Sequence, residues 1–180
     1  MSQTPLIPPP QPGTLYFGYG SNLWLHQMAQ RCPTSSYLGV ARLGNYTWQI
    51  NTRGYANVVP SPSTNSSSST TTTSEPHNYS NEVYGLVYSL LPSDEQHLDI
   101  NEGVPIAYVK AHLRCEFWPG TLEDRVNASE PAPESREMLV YIDHKRTSPG
   151  KPREEYVYRM NEGIRDAVAL GVPEGESEPF

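Results

Sequence analysis

The chain has 180 residues, of which 36% are hydrophobic, and it carries a formal net charge of −7 with a pI near 5.2. This length suits one domain whose core is large enough to fold without disulfides or metals. The acidic balance, the lack of basic patches and the lack of an apolar run of membrane length argue against nucleic acid or a membrane as a partner.

Three segments are expected to lie outside the folded core because of their composition. Residues 1–13 contain five prolines and no charge, which is typical of a disordered, extended leader. Between residues 61 and 74, twelve of fourteen are Ser or Thr, so a disordered loop insertion is predicted over 61–80. Residues 174–180 form an acidic tail, which leaves a single domain over 14–173.

Strand signals dominate that domain and predict a curved sheet or barrel. The clearest is 107–117, where apolar and polar residues alternate from Val109 to Phe117, a period of two that puts one face on a core. Five others share β-branched and aromatic enrichment. They are 15–19, 38–43, 46–50, 83–90 and 138–142.

Helix signals are fewer. One helix is predicted over 22–30, and a short second one is predicted to be capped by Ser93. Pro152 can open a C-terminal pair of helices, Gly163 is a candidate break between them, and Gly171 gives a stop signal.

A glycine turn follows the first strand and is a candidate anion site. Leu23 occupies the third glycine position of a dinucleotide loop and no Lys-Ser or Lys-Thr pair follows, which excludes Rossmann and Walker sites. Ser21 or Asn22 could cap a helix whose free N–H groups hold a carboxylate or an oxyanion, or the segment is an ordinary turn before a capped helix. The turn consists of Tyr16, Phe17, Gly18, Tyr19, Gly20, Ser21, Asn22 and Leu23.

Glu102, about eighty residues downstream, is the candidate general base. The apolar run 104–108 follows it, and burial against such residues would raise its pKa, whereas a solvated helix exit is the alternative. Tyr108, Tyr141 and Tyr156 could supply hydroxyls to a polar ligand or could simply pack.

These features resemble the gamma-glutamylcyclotransferases, which have a Tyr-Gly-Ser-Asn turn near the N-terminus and a downstream Glu-Gly-Val. The resemblance extends through 37–43, 82–88 and 148–173, and so covers most of 14–173. One departure is Pro105, which is inserted in the motif between Glu102 and Tyr108.

The resemblance implies an α+β fold, a small mixed β-barrel with flanking helices, and no cofactor or metal. It also implies that Glu102 is the acid–base residue and that the turn binds the gamma-glutamyl group. The predicted substrate-binding residues are Tyr16, Phe17, Gly18, Tyr19, Gly20, Ser21, Asn22, Tyr108, Tyr141 and Tyr156.

The expected reaction is attack of the substrate's alpha-amine on its own gamma carbonyl, which releases 5-oxoproline. Gamma-glutamyl amino acids or peptides, glutathione, gamma-glutamylamines and a glutathione-derived specialised metabolite all remain candidate substrates. A non-catalytic binding domain and an interaction module that uses the Ser/Thr loop are the rival functions. We expect a cytoplasmic enzyme with a small-molecule partner, and the sequence leaves a homodimer open.

Overall fold

The computed structural model describes residues 13–62 and 81–175 of the chain. The predicted leader, most of the Ser/Thr insertion and the end of the acidic tail lie outside the described residues, at 1–12, 63–80 and 176–180. No helix in the described part is both long and apolar enough to cross a membrane.

Five strands close into a mixed barrel, which confirms the predicted fold class. The strands are β1 Thr14–Gly18, β2 Ser36–Gly44, β5 Glu82–Leu90, β6 Val109–Pro119 and β7 Glu134–Ile142. Their order around the barrel is β1-β5-β2-β6-β7. Strand β7 pairs with β1 in parallel, and the other neighbours are antiparallel.

The remaining two strands form a separate antiparallel hairpin. Strand β3, Tyr46–Ile50, pairs with β4, Ala56–Pro60, so that Ile50 faces Ala56 at the closed end. Residues 56–60 are therefore a strand that was not predicted, and the turn 51–55 joins it to β3.

The predicted alternation in β6 is confirmed. Cys115 and Phe117 are buried and the residues between and before them are exposed, while the first half of the strand is only half-buried on its apolar face. Burying one face in this way supplies the main stabilising term for a sheet, roughly 25 cal/mol per Å² of apolar surface.

The helices correct two predictions. The expected helix over 22–30 is a 3-10 turn, Ser21–Leu23, followed by α1, Leu25–Arg31. Helix α2, Pro92–Asn101, begins before Ser93, and its Leu91 N–H donates to Asp94 Oδ2 at 3.1 Å, so Ser93 is not its cap.

The predicted C-terminal pair is a single helix, α3, Glu154–Leu170. Gly163 does not break it, because there the helix packs so closely on the 3-10 turn that an added Cβ would lie 2.9 Å from Leu23 Cβ. The predicted stop is confirmed, since Gly171 ends the helix with a φ of 118°.

Candidate active site

A cavity of about 280 Å³ opens where the 3-10 turn, the end of α2, the β3–β4 turn and α3 meet. It brings together segments that are far apart in the chain. Its walls are formed by Tyr16, Tyr19, Gly20, Ser21, Asn22, Arg31, Arg53, Tyr55, Ala56, Asn101, Glu102, Gly103, Ala107, Tyr108, Tyr141, Tyr156 and Arg159.

All but two of the predicted site residues line this cavity. Phe17 and Gly18 do not, which corrects their assignment. Successive side chains of a strand point to opposite faces, so Phe17, the neighbour of Tyr16, is wholly buried in the core. Gly18 is covered from the cavity side, because its Cβ position lies 3.5 Å from both the Tyr16 ring and Asn22 Cβ.

Glu102 is placed by the end of α2. It is the C-cap of that helix, and Gly103 takes a positive φ of 65° directly after it, so the chain turns away there. The side chain of Asn22 approaches from the opposite wall and donates from Nδ2 to Glu102 Oε1 at 3.3 Å. The glycine turn and the carboxylate are therefore in direct contact.

Burial is the largest influence on Glu102 and raises the pKa of its carboxyl above the ordinary value. The guanidiniums of Arg31, Arg159 and Arg53, together with the Asn22 hydrogen bond, lower the pKa but do not cancel the effect of burial. A carboxylate in this environment has gained proton affinity, which suits a general base near neutral pH.

Every polar atom of the Asn22 side chain is engaged, which fixes its orientation. Nδ2 also donates to the Tyr16 hydroxyl at 2.9 Å, while Oδ1 accepts from Gln27 Nε2 at 2.9 Å and from Arg31 Nη1 at 3.0 Å. Rotating the amide would turn its NH₂ group towards two donors. Asn22 therefore positions Glu102.

A second set of hydrogen bonds holds Ser21. Its Oγ accepts from Gln27 Nε2 at 2.9 Å and from Arg159 Nη1 at 3.1 Å, and the same Arg159 nitrogen donates to Gln27 Oε1 at 3.1 Å. Gln27 is 5% exposed and joins the two turn residues. A buried polar side chain needs such partners, so this network is a fixed part of the site.

The expected capping role of Ser21 and Asn22 is wrong. Their side-chain oxygens accept hydrogen bonds from Gln27 and the arginines, as described above. The first amide of α1, that of Leu25, donates to Asp166 Oδ2 at 2.9 Å. The Ser21 amide donates to the Tyr156 hydroxyl at 3.2 Å. The Gly20 amide has no acceptor within residues 13–62 and 81–175, so its N–H is available to a ligand.

The three predicted tyrosine hydroxyls differ in what they can offer a ligand. Tyr108 donates to Ala56 O and Tyr141 donates to Asp99 Oδ1, each at 2.7 Å, so both protons are already used. Tyr156 instead accepts from the Ser21 and Ala56 amides at 3.2 and 3.3 Å.

Tyr156 therefore keeps its own proton for a ligand, because that proton has no acceptor in the described part of the chain. Burial raises the pKa of Tyr156 to about 12, so the hydroxyl stays protonated at neutral pH. An added Cβ at Gly20 would lie 2.8 Å from this oxygen, so the free Gly20 amide and the Tyr156 hydroxyl are neighbouring groups.

Three arginines in the cavity wall were not predicted. Arg31, Arg53 and Arg159 face a single acidic group, Glu102, so the lining carries an excess of positive charge in an acidic protein. Arg31 sits in the last turn of α1, where a basic residue ordinarily complements the helix dipole. Of the three, only Arg159 could have been found from the sequence, because it lies three residues after Tyr156 and therefore on the same helix face.

No group of three or more His, Cys, Asp or Glu side chains suited to a metal ion occurs among the described residues. The two cysteines, Cys32 and Cys115, are both buried, and burial raises the pKa of each thiol to about 12. A thiol with so high a pKa is a poor nucleophile, and neither cysteine lines the cavity.

Comparison with known proteins finds no matching family model. A curated human gamma-glutamylcyclotransferase is 24% identical over 189 aligned residues, which cover 91% of this chain and 92% of the relative.

Solved structures share the fold. A gamma-glutamyl cyclotransferase superposes with a TM-score of 0.62 at 22% identity, covering 89% of this chain and 82% of the other. A human protein described as uncharacterized superposes with a TM-score of 0.65, also at 22% identity, covering 94% and 90%. Together with the sequence match, this likeness supports homology with the gamma-glutamylcyclotransferases.

Proposed function

We propose that this chain is a gamma-glutamylcyclotransferase that releases 5-oxoproline from gamma-glutamyl amino acids or peptides. The function of the human relative and the shared fold support the proposal. The observation that carries it is the contact of Asn22 with Glu102, which joins the glycine turn and the half-buried carboxylate in one cavity.

In the proposed reaction, Glu102 takes a proton from the alpha-ammonium of the bound substrate. The freed nitrogen attacks the gamma carbonyl carbon, a five-membered lactam closes, and the bond to the leaving nitrogen breaks. The two protons lost by the attacking nitrogen pass through Glu102 to the leaving nitrogen, so the carboxylate is regenerated.

Nucleophile and electrophile belong to one molecule, so the main task of the site is to hold a folded conformer. Correct orientation of this kind can supply about 7–11 kcal/mol of a barrier. The reaction as written needs no cofactor.

Two free donors beside the 3-10 turn are suited to the substrate's oxygens. The Gly20 amide and the Tyr156 hydroxyl lie side by side and can donate to the alpha-carboxylate or to the oxyanion that forms at the gamma carbon. The arginines add a positive field that favours an anionic substrate.

The test is the substitution Glu102→Gln, which keeps the shape and the Asn22 contact but removes the base. We expect 5-oxoproline formation to fall by about 10²–10⁴-fold, measured by mass spectrometry with gamma-glutamyl dipeptides, glutathione and epsilon-gamma-glutamyl lysine as substrates. Glu95→Gln on the same helix is the matched control, since Glu95 pairs with Lys110 away from the cavity. Undiminished turnover by a folded Glu102→Gln variant would rule out the mechanism.

A further inference from the structure

Arg53 is the cavity arginine that lacks a polar partner. Its Nη1 atom is buried and has no hydrogen bond partner among the described residues. The guanidinium stacks over the Tyr55 ring, 5.4 Å from its centroid, and its charge lowers the pKa of Glu102. Leaving a buried charged donor unsatisfied costs free energy, so such a group calls for an explanation, and a missing ligand supplies one.

The other two arginines of the cavity are already committed. Arg31 donates to Asn22 Oδ1 at 3.0 Å. Arg159 donates to Ser21 and Gln27 and forms an ion pair with Glu155 at 3.1 Å. Both guanidiniums are therefore already hydrogen-bonded to the side chains that hold the 3-10 turn.

Arg53 also lies on a different segment of the cavity wall. Arg31 and Arg159 lie on helices and bond residues of the 3-10 turn, whereas Arg53 lies on the β3–β4 turn beside Tyr55. The proposed function places the gamma-glutamyl group between Glu102 and the 3-10 turn. The leaving group is then placed beside the β3–β4 turn, whose Arg53 and Tyr55 also line the cavity.

The β3–β4 turn holds Arg53 in place before any ligand arrives. The Arg53 amide donates to Asn51 Oδ1 at 3.0 Å, and Arg153 Nε donates to Arg53 O at 2.9 Å. Asn51 is wholly buried and is itself anchored by a bond to Asp143 at 3.1 Å. The backbone of Arg53 is therefore fixed, the Tyr55 ring packs against its guanidinium, and a planar guanidinium suits paired hydrogen bonds to a carboxylate.

We infer that Arg53 is a specificity-determining residue that binds a carboxylate on the leaving group. The enzyme then prefers gamma-glutamyl compounds whose leaving group is an amino acid over gamma-glutamylamines, whose leaving group has no carboxylate. This inference rests on the proposed cyclotransferase function and adds the group that selects among its substrates.

The test compares two substrates that differ only in that carboxylate, gamma-glutamyl-alanine and gamma-glutamyl-ethylamine. We expect Arg53→Gln to lower kcat/KM for gamma-glutamyl-alanine by about 10- to 100-fold more than for gamma-glutamyl-ethylamine, because the effect of the lost charge on Glu102 is common to both substrates. Arg53→Lys keeps the charge without the planar fork and should fall between wild type and Arg53→Gln.

Arg165→Gln is the matched control, because Arg165 is exposed on α3, pairs with Glu162 and does not line the cavity. Its preference between the two substrates should equal that of the wild type. Thermal melting of each variant shows whether the fold is retained.

The outcomes separate the inference from the proposed function. An equal loss on both substrates, or an unchanged preference, in a folded Arg53→Gln variant would overturn the role of Arg53 while leaving the cyclotransferase intact. If wild type forms no 5-oxoproline from either compound, the proposed function itself is refuted. Calorimetric binding of both compounds to Glu102→Gln, with and without Arg53→Gln, gives the same comparison without turnover.

Discussion

Replacing Gly163 by alanine tests whether close packing of α3 on the 3-10 turn sets the geometry of the cavity. A Cβ at this position would lie 2.9 Å from Leu23 Cβ and 2.9 Å from the Trp24 backbone nitrogen, well inside van der Waals contact. Neither atom can rotate away, so the turn and the helix must separate.

Two opposing terms set the size of the effect. Alanine in a helix interior is favoured over glycine by about 1 kcal/mol. Overpacking costs about 1–3 kcal/mol, and the rigid neighbours of Gly163 place it near the upper end of that range. We therefore expect a net loss of about 1–2 kcal/mol, or roughly 2–8 °C in Tm for a chain of this size.

Activity should fall further than stability. The 3-10 turn carries Asn22, whose 3.3 Å bond to Glu102 is already long for a hydrogen bond. A displacement of about 1 Å would break that bond, and misplacement on this scale can cost about 10²-fold in rate. A drop in kcat of about 10- to 100-fold is therefore expected while the protein remains folded at 25 °C.

The assay combines thermal melting with the rate of 5-oxoproline release. Gly44→Ala is the matched control, because an added Cβ there would meet no heavy atom within 4 Å. A Gly163→Ala variant that melts higher than wild type and keeps full activity would show that helix propensity, and not close packing, decides at this position, and would refute the reasoning.

Two further predictions concern the charge of Glu102. The ionised form of Glu102 acts as the base and burial raises its pKa, so kcat/KM should increase with pH, with a midpoint above the ordinary glutamate pKa of about 4.3. Arg31→Met should move this limb of the profile to higher pH, because it removes a guanidinium that lowers the pKa of Glu102. Pre-steady-state or steady-state pH profiles measure this, and a limb that moves to lower pH in Arg31→Met contradicts it. A raised folded-state pKa also means that protein stability is lost as pH rises through that pKa, so Glu102→Gln should melt as high as wild type or higher at pH 8, with the difference closing towards pH 4. A variant that melts lower than wild type at pH 8 would show that the ionised carboxylate stabilises the fold.

The five barrel strands and the position of the last helix could be read from the sequence because they depend on local pattern. Alternation in 107–117 marked β6, and Tyr156, Met160 and Ile164, which recur every four residues in the sequence, form the buried face of α3. The helix starts were harder to predict. Ser93 satisfied a capping rule, yet Asp94, which is 1% exposed, accepts from Leu91 and from Thr34 and so sets the start of α2.

Gly163 is a second position where a local sequence rule gave the wrong prediction. Glycine weakens a helix by its own propensity, so a break was the reasonable prediction. Packing against Leu23 reverses that expectation, because only a residue without a side chain lets the helix approach the 3-10 turn.

Sequence alone determined the barrel-forming strands and the chemistry expected of the glycine turn and Glu102, since periodicity and residue type are properties of short segments. Tertiary structure decided which groups are available to a substrate. It used the protons of Tyr108 and Tyr141 within the protein, left that of Tyr156 free, and buried Arg53 Nη1 without a hydrogen-bond partner among the described residues. The reason is physical: a hydrogen bond needs its two atoms within about 3 Å of each other, and for residues 42 to 135 positions apart only the folded chain sets that distance.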